Sequence, residues 1–340
     1  MPVTAAARLF DAPAGAPLPL TGLEVDNLLS FLALLGMLRA IEERESGWRP
    51  RVSWAPSPWR ASLHVSVEAD EHRVAEVVHA GLVSAIDRLA RHRPMRDAAP
   101  LADVSFERES FRAYAKASRG AQTSERADLP PVDPAQLVAC LACEWPVKKI
   151  DGAPYAGPLV MMFGQGHQHF LTRYFDVPRG TVDEEDSQGS GVAGAIGHIH
   201  HALFRPWTRT HEADGFRWDP EDDQRYALRF GNPSKAGAAR TEDGANRLAT
   251  LGFLSFPTFP ASRSTTRGCL RTREGVSFLW PVWRTPLSRT GIEALLSHPA
   301  LSRGDVSRLR AFGVEEIYRA RRVANGKYMN VTRATPFTLE

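Results

Sequence analysis

From Leu28 to Ile41 the chain reads LLSFLALLGMLRAI, and no other stretch constrains the fold as tightly. On a helical pitch its apolar side chains (Leu28, Leu29, Phe31, Leu32, Leu34, Leu35, Met37, Leu38, Ile41) fall nearly all round the axis instead of along one stripe. A helix of that kind is buried on most faces, so the rest of the fold has to close around it. Asp26 is the expected N-cap of a helix running from Asn27 to about Glu45, with Glu42-Glu43-Arg44-Glu45 emerging into solvent. Gly36 in mid-helix costs about 1 kcal/mol relative to alanine, which points to a neighbouring backbone approaching closely at that position. Ser30, Gly36 and Arg39 interrupt the run. No run of 18 or more apolar residues exists elsewhere, so no membrane span is expected.

At 340 residues, 43% apolar and 24% charged, the chain has the make-up of a globular protein of about two lobes. The expected fold class is α+β: short antiparallel sheets covered by helices, two lobes in one compact body. Residues 1–125 form an N-terminal lobe and 126–340 a C-terminal lobe with a basic surface; the polar, proline-studded Thr123–Pro134 marks the boundary. Within the first lobe, 50–54 and 61–67 alternate with period two and read as antiparallel strands joined through Pro56-Ser57-Pro58. Helices are expected over 71–91 and 106–116. In the second, helices are expected over 134–144, 192–204, 288–297 and 303–312. Strands are expected over 315–323 and 328–335, with Asn325-Gly326 as a type I′ hairpin signal. Between Trp218 and Trp283, the prolines of Phe256-Pro257-Thr258-Phe259-Pro260 force an extended exit from a helix, because each disfavours the α region for the residue before it.

The N-terminus MPVTAAARLFDAPAG has no apolar segment of the length a signal peptide needs. Three cysteines, Cys140, Cys143 and Cys269, make no disulfide framework, and together these features predict a reducing cytoplasm. Cys140-Leu-Ala-Cys143 has metal-ligand spacing, but no second pair follows, and core packing in a helix is the simpler reading. Histidines cluster at His167/His169 and at His198/His200/His201. His-x-His pairs suit a transition metal, and on a helix His198 and His201 share a face while His200 does not. Without an HExxH or His-Asp signature, polar packing is the leading reading and a metal-dependent nuclease using His167/His169 and His198/His201 the alternative. No cofactor and no metal are expected. Asp219, Glu221, Asp222 and Asp223 read as acids favourably placed at a helical N-terminus, opened by Asp219-Pro220.

The formal charge of +3 conceals a division. Residues 1–224 hold 23 Lys and Arg against 31 Asp and Glu, a balance of −8, whereas residues 225–340 hold 19 against 8, a balance of +11. Either the two regions attract each other across an interface or the positive one meets a polyanion. Arg240, Arg247, Arg263, Arg267, Arg271 and Arg273 bracket the central helix of the Trp218–Trp283 stretch and the Ser/Thr-rich turn SRSTTRGCLRTR that follows it. That spacing suits phosphate contacts from a loop, as well as a plain solvated face. Arg284 completes the set of phosphate candidates, and Asn232, Lys235 and Asn246 are secondary ones. Trp280 and Trp283, flanking Pro281, could stack on bases, although core packing is the commoner use.

PLPLTGLEVDNLLSFLALLGMLRAIEE followed by RVSW resembles the start of large-subunit-like proteins of type I-G (formerly I-U) CRISPR systems. WDPEDDQRYALRFGNPSK, DGANRLATLGFLSFPTFP and FLWPVWRTPLSRTGIEALL resemble the type I-G helicase-nuclease-extension family, itself similar to the small large-subunit protein of those systems. The resemblance spans most of the chain outside 95–155. It implies a cytoplasmic, non-catalytic subunit working beside the backbone subunit and the helicase-nuclease, with guide RNA or target DNA as a partner. A subunit that only assembles the complex, without nucleic-acid affinity, is the further alternative. No GxxxxGK[ST] is present, and the resemblance carries over no catalytic residue.

Overall fold

The computed structural model describes residues 15–96, 99–104, 108–124, 132–144, 154–161, 169–180, 192–221, 240–260, 265–325 and 328–338. Helix α1 (Leu28–Arg44) lies at the centre, and every residue from Leu28 to Ile41 is buried, Ser30 and Arg39 included. Its cap is Asn27, one residue later than expected. Asn27 has extended backbone, and its Oδ1 accepts from the amides of Leu29 (2.9 Å) and Ser30 (3.4 Å), two donors the first turn leaves open. Asp26 faces Arg333 instead, at 2.7 Å.

Helices α2 (Glu71–Ala90) and α7 (Asp243–Phe253) cover α1, and glycines set how closely they approach. A Cβ on Gly36 would lie 1.9 Å from the Leu248 carbonyl oxygen, and one on Gly252 1.9 Å from that of Leu32, so α1 and α7 touch backbone to backbone at two reciprocal points. Gly81 of α2 stands in the same relation to Ala40, also at 1.9 Å. The close approach expected at Gly36 is therefore made by α7. All eleven residues of α7 are buried. On its far side Gly244 abuts the backbone of His198 in α6 (Val192–Phe204).

The N-terminal sheet has strand order β1 (Leu18–Leu20), β3 (Arg60–His64), β2 (Arg51–Ala55), all antiparallel. Val52 opposite Leu63 and Trp54 opposite Ala61 form its buried face, as the period-two alternation requires. Two-residue ladders pair β4 (Met95–Arg96) with β5 (Ala99–Pro100), and β6 (Ala142–Cys143) with β7 (Tyr155–Ala156). Similar ladders pair β8 (His211–Glu212) with β9 (Arg240–Thr241), and β10 (Thr258–Phe259) with β11 (Thr265–Thr266). β10 is the extended exit that the Pro257/Pro260 pair imposes after α7.

Helix α3 (Arg108–Ser124) runs past the end expected for it at Lys116, carried by buried Phe111, Tyr114 and Ser118 at helical spacing. Helix α4 (Pro134–Leu141) starts on an Asp133 cap and stops before Cys143, which sits in β6. Both Cys140 and Cys143 are buried, so they pack in the core but not on one helix. Helix α5 (Phe170–Asp176) carries Phe170 and Tyr174 into an aromatic cluster with Phe216, Trp218 and Phe253. Trp218 also donates Nε1–H to the Leu159 carbonyl at 2.9 Å.

The C-terminal sheet runs β12 (Cys269–Thr272), β13 (Gly275–Trp283), β14 (Val314–Asn325), β15 (Tyr328–Val331), with β16 (Thr335–Pro336) also on β14. Trp280 and Trp283 are core residues: Trp280 stacks on Phe31 of α1 with ring centroids 5.4 Å apart, and both indoles donate to backbone carbonyls. Asn325 pairs with Tyr328, so Asn325 belongs to the ladder and not to the turn expected at Asn325-Gly326; residues 326–327 lie outside the described ones. Helix α8 (Arg289–Ser297) is as expected, but the helix expected over 303–312 starts only at Val306 and ends as a 3-10 turn, Arg310–Phe312. Pro299 opens α9 (Pro299–Ser302), Gly304 at φ +63° turns the chain, and Asp305 caps α10 (Val306–Leu309).

The fold is α+β, with short antiparallel sheets covered by helices. Its buried core is one cluster extending from Leu20 to Phe337, and it continues across residue 125, where the sequence suggests a lobe boundary.

Candidate nucleic-acid interface

The arginines expected to meet phosphate separate into two groups. Arg247 is on the wrong side of α7: only 2% exposed, its Nε lies 2.6 Å from Asp243 Oδ2. Asn246 is likewise internal. It donates to Thr241 Oγ1 at 2.7 Å and accepts from the Phe216 amide at 3.3 Å, tying α7 to the strand before it and to the aromatic cluster. Arg267 points inward to Glu293 (3.5 Å) and to the Ser255 carbonyl (3.2 Å). It joins a buried network in which Glu293 also holds Arg39 (2.9 Å) and Arg289 (2.8 Å), while Arg289 reaches Glu42 of α1 at 2.6 Å. The corrections at Asn246 and Arg247 share a cause: α7 is enclosed on all sides, so its polar positions face partners inside the protein.

Burial alone would push the Glu293 carboxyl up, but the charges of Arg289 and Arg39 outweigh it and hold Glu293 below the usual carboxylate range. Arg333 adds a second bridge between chain ends, to Asp26 (2.7 Å), Glu24 (3.2 Å) and Glu221. Part of the charge division between the two halves is thus answered within the chain. Asp219, expected at a helical N-terminus, is 1% exposed and ion-paired to Arg209 at 2.8 Å. Arg240 lies exposed in β9, and Arg284 is exposed beside Glu315 at 3.3 Å, at the Trp283 end of β13. Arg263, Lys235 and Asn232 lie outside the described residues.

The histidines of α6 make three carboxylate pairs, two of them to the start of α7. His198 Nδ1 lies 2.6 Å from Asp243 Oδ2, and His201 Nδ1 lies 3.0 Å from Glu242 Oε1, so they share a face of α6 as expected. His200 turns away to Glu71 at 3.2 Å. Burial, opposed by the His198 hydrogen bond and the Arg247 charge, leaves the Asp243 carboxyl below its ordinary value. His169 precedes α5, and His167 lies outside the described residues. Among the described residues no group of three or more His, Cys, Asp and Glu is arranged to hold a metal ion. The histidine–carboxylate pairs instead fasten α6 to the start of α7.

Arg271 and Arg273 behave differently. Arg271 projects from β12 opposite Val276, and Arg273 follows in the exposed turn to β13. Across β13, Ser277 faces Arg321 and Leu279 faces Arg319, so Arg319 and Arg321 share one face of β14, while Arg322 points to the other, the side of Arg271. The Arg271 guanidinium lies over the Tyr155 ring, 5.2 Å from its centroid, and Arg322 Nη1 donates to the Pro158 carbonyl at 3.3 Å. Arg319 lies over Phe337 at 4.6 Å. Arg321 has a loose exposed pair with Glu274 at 3.6 Å; among the described residues Arg271, Arg273, Arg319 and Arg322 have no carboxylate within ion-pairing distance.

Burial and the neighbouring Arg271 charge both lower the Arg322 pKa, the signature of like charges held together without a counter-ion. The Cys269 thiol beneath them is pushed up to about 12 by burial, against the pull of both guanidiniums. Sequence reasoning misses Arg319, Arg321 and Arg322 as site residues. The signal for Arg319 and Arg321 is the alternation Ile317-Tyr318-Arg319-Ala320-Arg321, which reads as a strand with basic residues on one face; Arg322 falls on the other face and shares none of it. Planar guanidiniums beside an exposed aromatic ring can hold phosphate oxygens and a flat base together. Compared with protein-family models, with curated proteins and with solved structures, the chain matches none.

Proposed function

We propose that this chain is a non-catalytic subunit of a type I-G CRISPR interference system, binding nucleic acid through the β12–β14 arginine face. The resemblance of its N-terminal, central and WPVW segments to that family supports the assignment to such a system. A single observation supports the binding role: Arg271 and Arg322 lie together on one side of the β12–β14 sheet, with Arg273 in the adjoining turn, and none of the three has a carboxylate ion pair among the described residues. By contrast, the buried guanidiniums of Arg39, Arg247 and Arg289 each meet a carboxylate. Guide RNA or target DNA is the partner, with the backbone subunit and helicase-nuclease as neighbours.

The test is the double charge reversal Arg271→Glu/Arg273→Glu, read by fluorescence anisotropy over a salt series. Arg267 is left intact, because reversing it would set two carboxylates together beside Ser255. The slope of log K against log salt should fall by roughly 0.7–0.9 for each phosphate that is no longer neutralised. Unchanged affinity and slope would overturn the proposal and favour an assembly subunit without nucleic-acid affinity.

A further inference from the structure

We infer that this face takes single-stranded nucleic acid, with one base stacking at Tyr155 while Arg271 and Arg322 neutralise the flanking phosphates. The inference rests on the binding role proposed above and names the form of nucleic acid that fits it. Tyr155 remains 42% exposed although it lies within the arginine cluster. Its backbone is held: β7 pairs Tyr155 with Cys143, and the amide of Gly157, two residues on, donates to the Leu141 carbonyl at 2.8 Å. The ring is therefore presented from a fixed strand, with the Arg271 guanidinium over it at 5.2 Å. The Arg322 guanidinium is anchored three residues along, at the Pro158 carbonyl.

Duplex bases are already stacked and offer no free face to such a ring, whereas a single strand can splay a base onto it. Phosphates on either side of that base then fall within reach of two cations that have no carboxylate ion pair of their own among the described residues. Stacking of this kind tolerates any base, since every base has a π-face. A cation on the ring adds to the attraction.

Tyr155→Ala, Tyr155→Phe and Arg271→Glu/Arg273→Glu are compared by anisotropy on a labelled single strand, as DNA and as RNA, and on the matching duplex. Tyr155→Ala should lose about tenfold or more in single-strand affinity, close to the tenfold that 1.4 kcal/mol represents. Tyr155→Phe should retain wild-type affinity, the duplex should respond less, and the salt slope should be unchanged. Equal loss on single strand and duplex, or no loss on either, would overturn the stacking role. If the charge reversal still weakens binding in that case, the wider nucleic-acid reading survives. Absence of any binding by the wild-type chain would end both. Preference for DNA or RNA among the single strands identifies which strand occupies the face.

Discussion

Alanine at Gly36 and alanine at Gly197 should shift stability in opposite directions, although both glycines lie inside helices. At Gly36 the added methyl would meet the Leu248 carbonyl oxygen at 1.9 Å and its carbon at 2.6 Å. Ordinary contacts are about 3.5 Å, so α1 and α7 would have to part by roughly an ångström or more. Overpacking of this kind costs about 1–3 kcal/mol, and the upper end applies when the obstacle is backbone that cannot swing aside. The reciprocal contact of Gly252 with Leu32 would open with it. Against this, alanine regains about 1 kcal/mol of helix propensity, leaving a net loss of about 2 kcal/mol. Gly197, exposed in α6, has nothing within 4 Å of the same methyl, so only the gain of about 1 kcal/mol remains. Thermal or urea unfolding of both variants beside the parent chain reads the pair. At about 1.4 °C per kcal/mol for a chain of this length, Gly36→Ala should lower Tm by about 3 °C and Gly197→Ala should raise it by about 1 °C. A Gly36→Ala protein as stable as Gly197→Ala would refute the backbone contact between α1 and α7.

Three further outcomes follow from the buried charges and thiols. Glu293→Gln should destabilise the protein by about 3 kcal/mol, the lower end for a broken buried pair, because it removes the carboxylate that Arg39 and Arg289 share while Glu42 still holds Arg289; urea titration checks it. Since Glu293 and Asp243 titrate below their ordinary values when folded, they add stability above the unfolded carboxylate range near 4 and lose it as pH falls through the folded values. Tm should therefore drop on acidification below about pH 5, less steeply in Glu293→Gln, and a flat wild-type profile would contradict the pairing. Burial pushes the Cys140 thiol up to about 12, so it should resist a thiol reagent at pH 8 until denaturant is added, as read by mass spectrometry of the labelled peptide.

The parts of this fold that could be read from sequence are those decided by local pattern. The all-round apolar α1, the alternation of β2 and β3, the Pro257/Pro260 exit and the helix carrying His198 and His201 each announce themselves within a dozen residues. Arg247 shows where such reading stops. Asp-Gly-Ala-Asn-Arg reads as a polar first turn at a surface, and only the packing of α1 and α6 against both sides of α7 reveals that it is enclosed. Arg267 looks like part of a loose basic turn because its partner, Glu293, belongs to α8. The arginine–tyrosine cluster draws on β7, β12 and β14, and no sequence spacing relates Tyr155 to Arg271 or Arg322. The arginine-rich character of the last third was legible; which guanidiniums face outward is a property of the sheet register.

The most direct test of the binding face is photocrosslinking of the intact chain to single-stranded RNA and DNA, followed by mass spectrometric mapping of the attached peptides. The account predicts crosslinks to peptides containing Tyr155, Arg271–Arg273 and Arg319–Arg322. Crosslinks confined to α2, α6 or the N-terminal sheet, with none on β7, β12 or β14, would contradict it.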